Sequence, residues 1–257
     1  MKNVHILSEI LKNHLIQFPF VQKISSLINH TTGLNGQNSE ALQSTFNDYN
    51  SVTDVKGCSI LELGPGHTYQ LMELALQKGA TRAVIADIIK YLDDQIIEKT
   101  GIDYIIYDGG TIPLDARTFD LIWSHTVYEH LRYPKVTVDE TFRLLRPGGV
   151  ALHHIDLRDH LVLDENNPDT FNNLQYSQEL FKKMTWNRSI YVNRLRMSEW
   201  VRLHEQAGFK VEILKTWESP AVQKKYRKKA IAYLQKYSET DAITSQIFIK
   251  ATKPLQS

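Results

Sequence analysis

The chain has very little cysteine, net charge or long apolar sequence. Cys58 is the only cysteine among 257 residues, so no internal disulfide is possible, which is typical of a reducing compartment. The formal net charge of +1 indicates no general attraction to nucleic acid or to an anionic membrane. No stretch reaches the ~20 apolar residues that a membrane span needs. We therefore expect no nucleic-acid partner, no membrane span and no disulfide-stapled fold.

The beginning of the chain does not resemble a secretory leader. Its apolar positions are interrupted by Glu9, Lys12 and His14, and no small-residue cleavage site follows them. Hydrophobic residues make up 42% of the chain and charged residues 23%, the balance of an ordinary globular protein. The sequence therefore predicts a cytoplasmic protein.

The hydrophobic pattern divides the chain into a helical beginning and a longer region of alternating elements. Apolar residues at helical spacing predict a helix over 5–28. We expect residues 1–54 to form a helical N-terminal cap and residues 55–257 to form the main domain. Within that domain we expect an insertion at 157–196, on the side of the substrate, and a basic helix at 221–237.

Strands and helices alternate from residue 58 onward. This alternation predicts an α/β fold with a doubly wound, mostly parallel sheet of seven strands. The predicted strands are 58–63, 82–87, 102–108, 118–125, 150–156, 210–214 and 245–251.

A glycine-containing turn follows the first strand. Gly64, Pro65 and Gly66 come directly after the buried run that ends at Leu63. Ligands of such sheets bind beyond the carboxyl ends of the strands, and glycine lets the backbone approach them closely. Tyr69 stands where a dinucleotide fingerprint has its third glycine, which disfavours a bound pyrophosphate.

Carboxylates close the next two strands. Asp87 has nearly the spacing expected for a carboxylate that accepts from both ribose hydroxyls. Asp108, followed by Gly109 and Gly110, can accept from an adenine amino group. A single aspartate at a strand end often only caps a turn, but acidic residues in register on successive strands favour a nucleoside site.

These motifs together resemble the class I S-adenosylmethionine-dependent methyltransferases, in particular the type 11-like members, which have a Rossmann-like fold. The similar segments are 62–68, 107–124, 127–131 and 140–157. The resemblance implies S-adenosylmethionine as the cofactor. It further implies contacts to methionine from Glu62, Gly64, Pro65 and Gly66, to ribose from Asp87, to adenine from Asp108 and Gly109, and to the sulfonium from Ser124 and His125.

Histidines are concentrated after the fourth strand. Five of the ten lie within residues 125–160. His154 and Asp156 share one face of the fifth strand, where the acceptor should meet the methyl group. A hydroxyl acceptor profits from a general base, so we predict His154, Asp156 and His125 as catalytic residues. Hydrogen-bonded structural histidines, or a metal held by His154, Asp156 and His160, are alternatives; we expect no metal.

Aromatic and amide side chains in the 157–196 insertion suit a polar acceptor. The chain also has a loose similarity to uncharacterised methyltransferases associated with glycan assembly. We therefore expect methyl transfer, at oxygen, to a small molecule or a glycan. The alternatives are an NAD(P)-dependent oxidoreductase, which shares the strand–glycine–helix–aspartate layout, and a cofactor-binding subunit without catalysis.

Overall fold

The structure is a computed structural model. The predicted basic helix over 221–237 lies outside its described residues except at the last three positions. The structure describes residues 2–18, 20–21, 39–161, 171–218 and 235–256.

Seven strands form one sheet in the order β3-β2-β1-β4-β5-β7-β6, with β7 antiparallel to both of its neighbours. The predicted doubly wound, mostly parallel α/β sheet is therefore confirmed. Strand order reverses between β1 and β4, which opens a crevice beyond their carboxyl ends. The strands are β1 Ser59–Leu63, β2 Arg82–Asp87, β3 Asp103–Ile106, β4 Phe119–His125, β5 Leu145–Asp156, β6 Lys210–Glu218 and β7 Thr244–Thr252.

Eight α-helices lie within the described ranges, together with short 3-10 turns at Tyr128–His130 and Asn172–Gln175. The α-helices are α1 Lys2–Leu15, α2 Ser39–Val52, α3 Gln70–Gln77, α4 Asp94–Thr100, α5 Pro134–Leu144, α6 Gln178–Thr185, α7 Met197–Gln206 and α8 Glu239–Ile243.

Some elements have bounds that differ from the predicted ones. Helix α1 ends at Leu15, inside the predicted 5–28 helix, because Pro19 has no N–H to donate to the Leu15 carbonyl. Residues 22–28 of the predicted helix lie outside the described residues. Strand β6 continues to Glu218 because β7 pairs with residues beyond its apolar run. Such an edge strand is exposed at alternate positions and carries a weak apolar signal.

Apolar side chains cover both faces of the sheet. Leu61 and Leu63 belong to one cluster, while Ile60 and Trp123 belong to the cluster on the opposite face. Every residue of β1 is buried, as expected for a parallel strand covered by helices on both sides. Helix α2 lies in the second cluster, where its Phe46 ring meets Trp123 edge-on at a centroid distance of 5.9 Å.

Helix α1 packs elsewhere, against the insertion that follows β5. Ile6 and Ile10 contact a small separate core. The Glu9 carboxylate accepts from the Arg188 guanidinium, which joins α1 to the turn after α6. The two described helices before residue 55 therefore have different neighbours, since α2 covers the sheet and α1 covers the insertion. The buried members of the separate core are Leu161, Tyr176, Phe181, Met184, Tyr191 and Val192.

Candidate active site

The turn after β1 requires glycine. Gly64 has φ +64°, in the left-handed region, and a Cβ there would lie 2.7 Å from Cγ1 of Val127. Gly66 has φ +67° and donates its backbone N–H to Oδ2 of Asp87 at 3.1 Å. The backbone of this turn therefore passes close to the end of β4 and is tied to the end of β2.

Glu62 is a buried carboxyl group at the base of this turn. Its Oε2 has no hydrogen-bond partner within the described ranges. Burial, with a smaller contribution from the Asp87 carboxylate, raises the pKa of Glu62 to about 8. A buried carboxyl group with an unused oxygen is stabilised by a cation or by a hydrogen-bond donor. The position therefore suits the ammonium group of an amino acid.

The Asp87 carboxylate already accepts hydrogen bonds from three backbone N–H groups. Its Oδ1 accepts from the N–H groups of Ile88 and Ile89 at 2.7 and 3.3 Å, and its Oδ2 accepts from Gly66. Burial outweighs these bonds and raises the pKa of Asp87. A carboxylate offers about four acceptor sites, so Oδ2 keeps capacity for one further donor, such as a ribose hydroxyl.

Asp108 lies two residues beyond the end of β3, which is shorter than predicted. Its Oδ1 accepts from the N–H of Gly110 at 2.9 Å, closing a tight turn. Gly109, inside this turn, has φ +86°. Asp87 and Asp108 thus stand at the carboxyl ends of adjacent strands, as predicted from their spacing.

Ser124 points its side chain into the core. Its hydroxyl lies 2.8 Å from Nδ1 of His153, and both side chains are fully buried. The backbone carbonyl of Ser124 accepts from the Tyr49 hydroxyl at 2.7 Å. A contact from Ser124 to a ligand at this strand end would therefore have to use the backbone.

His125 and His154 form a pair on adjacent strands. Nε2 of His125 lies 3.4 Å from Nδ1 of His154, whose Nε2 lies 2.9 Å from Oε1 of Gln246. Because the amide oxygen accepts, Nε2 of His154 carries the proton, and its Nδ1 keeps the lone pair. Burial and His154 lower the pKa of His125 to about 3, and burial also lowers the pKa of His154. Both rings are neutral at pH 7.

Asp156 does not hydrogen-bond His154 among the described residues. The Asp156 carboxylate instead accepts from Nε and Nη2 of Arg158, at 2.8 and 2.6 Å. Nε2 of His160 lies 3.7 Å from it. Burial opposes ionisation, but the His160 and Arg158 contacts outweigh it and hold the pKa of Asp156 well below its usual range. A flexible arginine two residues later reaches the carboxylate more readily than an imidazole fixed on the strand.

Three residues at this edge of the sheet were not predicted from the sequence. The Tyr49 hydroxyl lies 3.4 Å from Nδ1 of His125, although 76 positions separate them. Gln246 comes from β7, and the Trp217 ring lies against His154 at a centroid distance of 5.0 Å. No signal in the sequence indicated Gln246, which stands opposite Asp156 in the register of β5 and β7.

Residues 61–153 match the family of methyltransferase domains. This match spans β1 to the middle of β5 and includes the glycine turn, both strand-end aspartates and His125. Together with the fold, this match supports a class I S-adenosylmethionine-dependent methyltransferase domain over these residues. None of the described helices is long and apolar enough to cross a membrane.

Solved structures share the fold of this methyltransferase domain. The YcgJ protein of Bacillus subtilis has a TM-score of 0.54 at 14% identity, over 84% of this chain and 99% of its own. Phosphoethanolamine N-methyltransferase 2 of Haemonchus contortus, bound to S-adenosylhomocysteine and phosphomonomethylethanolamine, has a TM-score of 0.57 at 15% identity. That match covers 84% of this chain and 53% of the other. The [4+2]-cyclase SpnF has a TM-score of 0.51 at 16% identity, over 84% and 81% of the two chains. At such identities the likeness concerns the fold alone.

An uncharacterised protein of Methanocaldococcus jannaschii is 27% identical over 116 residues, which are 45% of this chain. The alignment spans 50% of that relative, so the chain matches about half of its length.

Proposed function

We propose that the protein transfers the methyl group of S-adenosylmethionine to a hydroxyl oxygen of a small molecule or a glycan. The observation that carries the cofactor part is the buried carboxyl group of Glu62, which has an unused oxygen beside the glycine turn. That position suits the ammonium group of the methionine part. In this arrangement the turn backbone at Gly64 and Gly66 borders the methionine, Asp87 holds ribose and Asp108 holds adenine.

Bound S-adenosylmethionine supplies a methyl group that its positive sulfur has already activated. Alignment by the protein can then provide up to ~7–11 kcal/mol of the barrier reduction. A hydroxyl acceptor must also lose its proton, and the neutral pair of His125 and His154 can receive it. Gln246 fixes the tautomer of His154, which leaves Nδ1 as the atom that takes the proton. Tyr49 positions the pair from the other side.

We assign the acceptor side to the insertion at 157–196 and the N-terminal helix that covers it. The insertion reaches the end of β4 through Arg132, whose guanidinium donates to the carbonyls of His130 and Trp186. Arg132 also lies over the Tyr191 ring at 4.8 Å. Aromatic and amide groups in this arrangement suit a polar acceptor such as a sugar. The 55–257 unit would thus bind the cofactor on the sheet and the acceptor beneath the insertion.

The test is a screen with methyl-labelled cofactor against sugars, small phenols, small amines and lipids. We expect label on a sugar or phenol, and mass spectrometry of the product should place the methyl group on oxygen. His154→Ala should lose turnover on that acceptor, while Lys210→Ala, a control at the exposed start of β6, should keep it. Transfer to amines only, or to no acceptor while cofactor binds, would contradict the proposal.

A further inference from the structure

Three side chains that the proposed reaction does not use meet beyond β4 and β5. Glu129 and His130 belong to the 3-10 turn after β4, and His160 follows β5. One nitrogen or oxygen from each lies within 4.8 Å of the others. They share with His125 and His154 the edge of the sheet where ligands of this fold bind.

Glu129 is the unusual member of this group. The side chain is 2% exposed, and neither carboxylate oxygen has a hydrogen-bond partner in the portion of the chain that the structure describes. A buried carboxyl group without partners is costly, and a bound cation removes that cost.

His130 is held in the tautomer that a metal ligand needs. Its Nδ1 lies 2.8 Å from the carbonyl oxygen of Tyr191, and since that oxygen can only accept, Nδ1 carries the proton. Nε2 therefore keeps its lone pair. A histidine that donates its other N–H to a backbone carbonyl is the usual arrangement at metal sites.

His160 completes the group from the segment after β5, the strand that pairs with β4. Its ring faces that of His130 at a centroid distance of 4.9 Å. The Asp156 carboxylate, 3.7 Å from Nε2 of His160, can orient this ring and leave Nδ1 for a ligand bond. Arg158, the cation nearest to the carboxylates, is already bound to Asp156 through two of its nitrogens.

We propose that Glu129, His130 and His160 bind one divalent transition metal ion, such as zinc or manganese. Two imidazoles and one carboxylate suit these ions, whereas magnesium prefers oxygen ligands. Tetrahedral ligation at ~2.0–2.1 Å places ligand atoms about 3.4 Å apart, so the three side chains must close by up to about 1.4 Å.

These ligands differ from the alternative set that the sequence suggested, His154, Asp156 and His160. In the structure Asp156 orients His160, and His154 belongs to the histidine pair. Three protein ligands leave a position for a further oxygen ligand. If the proposed function holds, that ligand is the acceptor hydroxyl, whose pKa the metal lowers.

The test measures metal binding alone, with neither cofactor nor acceptor present, so it does not depend on the proposed function. The full chain is freed of metal with a chelator, and zinc is titrated by calorimetry at neutral pH. We expect one zinc ion per chain with submicromolar affinity. Cobalt should give a visible absorption spectrum typical of tetrahedral or five-coordinate ligation.

Variants distinguish this site from adventitious binding. His160→Ala and Glu129→Gln should each weaken zinc binding at least 100-fold, and zinc should no longer raise their melting temperatures. His14→Ala, which removes a histidine from the exposed side of α1, should bind zinc like the wild type.

Two results would overturn the proposal. One is a wild-type chain that binds zinc, manganese and cobalt no more tightly than ~100 μM. The other is a folded Glu129→Gln or His160→Ala variant with unchanged zinc affinity, because the replaced side chain would then not be a zinc ligand. Circular dichroism checks that each variant is folded.

Discussion

Binding of S-adenosylmethionine should release a proton from Glu62. With a pKa of about 8, this buried carboxyl group is about nine-tenths protonated at pH 7 in the empty protein. An ammonium group placed against it favours the charged form and lowers the pKa. We therefore expect release of up to about 0.9 proton per cofactor at pH 7, falling to about 0.1 at pH 9, where Glu62 is already ionised.

The same pKa sets the effect of Glu62 on affinity. A charge-assisted hydrogen bond contributes ~1.5–3 kcal/mol, but ionising a group of pKa 8 at pH 7 costs about 1.4 kcal/mol. The net loss in Glu62→Gln is then up to about 1.6 kcal/mol, a weakening of at most about 15-fold at pH 7.

Calorimetry in buffers of different ionisation enthalpy counts the protons. The cofactor's own amino group also titrates in this range, so the difference between wild type and Glu62→Gln isolates the carboxyl group. Equal proton release in the two proteins, each still binding cofactor, would refute the reasoning. It would mean that Glu62 is ionised before binding or lies away from the ammonium group.

Glu62 should also make stability depend on pH. Its folded pKa of about 8 exceeds the ordinary 4.5, so the folded state binds more protons than the unfolded state between these values. Stability is therefore lost as the pH rises through this window. Glu62→Gln should then raise the free energy of unfolding at pH 7 by roughly 3 kcal/mol, and denaturant titration at pH 5 and 7 should show that the gain grows with pH.

Further predictions concern the turn, the N-terminal helix and the histidine pair. Gly64→Ala should destabilise the protein by about 2–4 kcal/mol, measured by thermal unfolding, because it combines backbone strain with a clash. Gly57→Ala, with positive φ and open space, should cost only about 1–2 kcal/mol; an equal cost would exclude the clash. Arg188→Ala should lower the free energy of α1 packing by about 1.5–3 kcal/mol and make α1 more susceptible to limited proteolysis. An unchanged cleavage pattern would mean that the ion pair with Glu9 does not hold this helix. His154→Ala should reduce turnover 10²–10⁴-fold with nearly unchanged cofactor affinity. Since burial lowers the pKa of His154, the wild-type rate should fall only below pH 6.5, and a loss centred higher would contradict its role as the base.

The sequence was informative where signals are local. The glycine turn and the strand-end carboxylates Asp87 and Asp108 depend on residue types that directly follow apolar runs, so their positions could be predicted. The relation between His154 and Asp156 could not. The sequence showed that the two residues share a strand face, but it did not show their partners. The reach of the side chains decides these, since Asp156 binds Arg158 and His154 contacts Gln246.

Contacts between distant segments could not be predicted from the sequence. Tyr49 meets His125 only because α2 packs on the sheet, and nothing in its own segment distinguishes it from other aromatic residues of amphipathic helices. The grouping of Glu129 and His130 with His160 depends on how the segments after β4 and β5 approach each other, which no local pattern encodes.

The attachment of α1 to the insertion, rather than to the sheet, has a consequence for how this protein can diverge. The helix and the insertion share a small core of their own, so substitutions there leave the packing under the glycine turn undisturbed. If the insertion binds the acceptor as we propose, descendants of this chain can therefore change their acceptor while the cofactor site keeps its packing. Hydrogen exchange should reveal the same division, with amides of this core opening at lower free energy than those of β1 and β4.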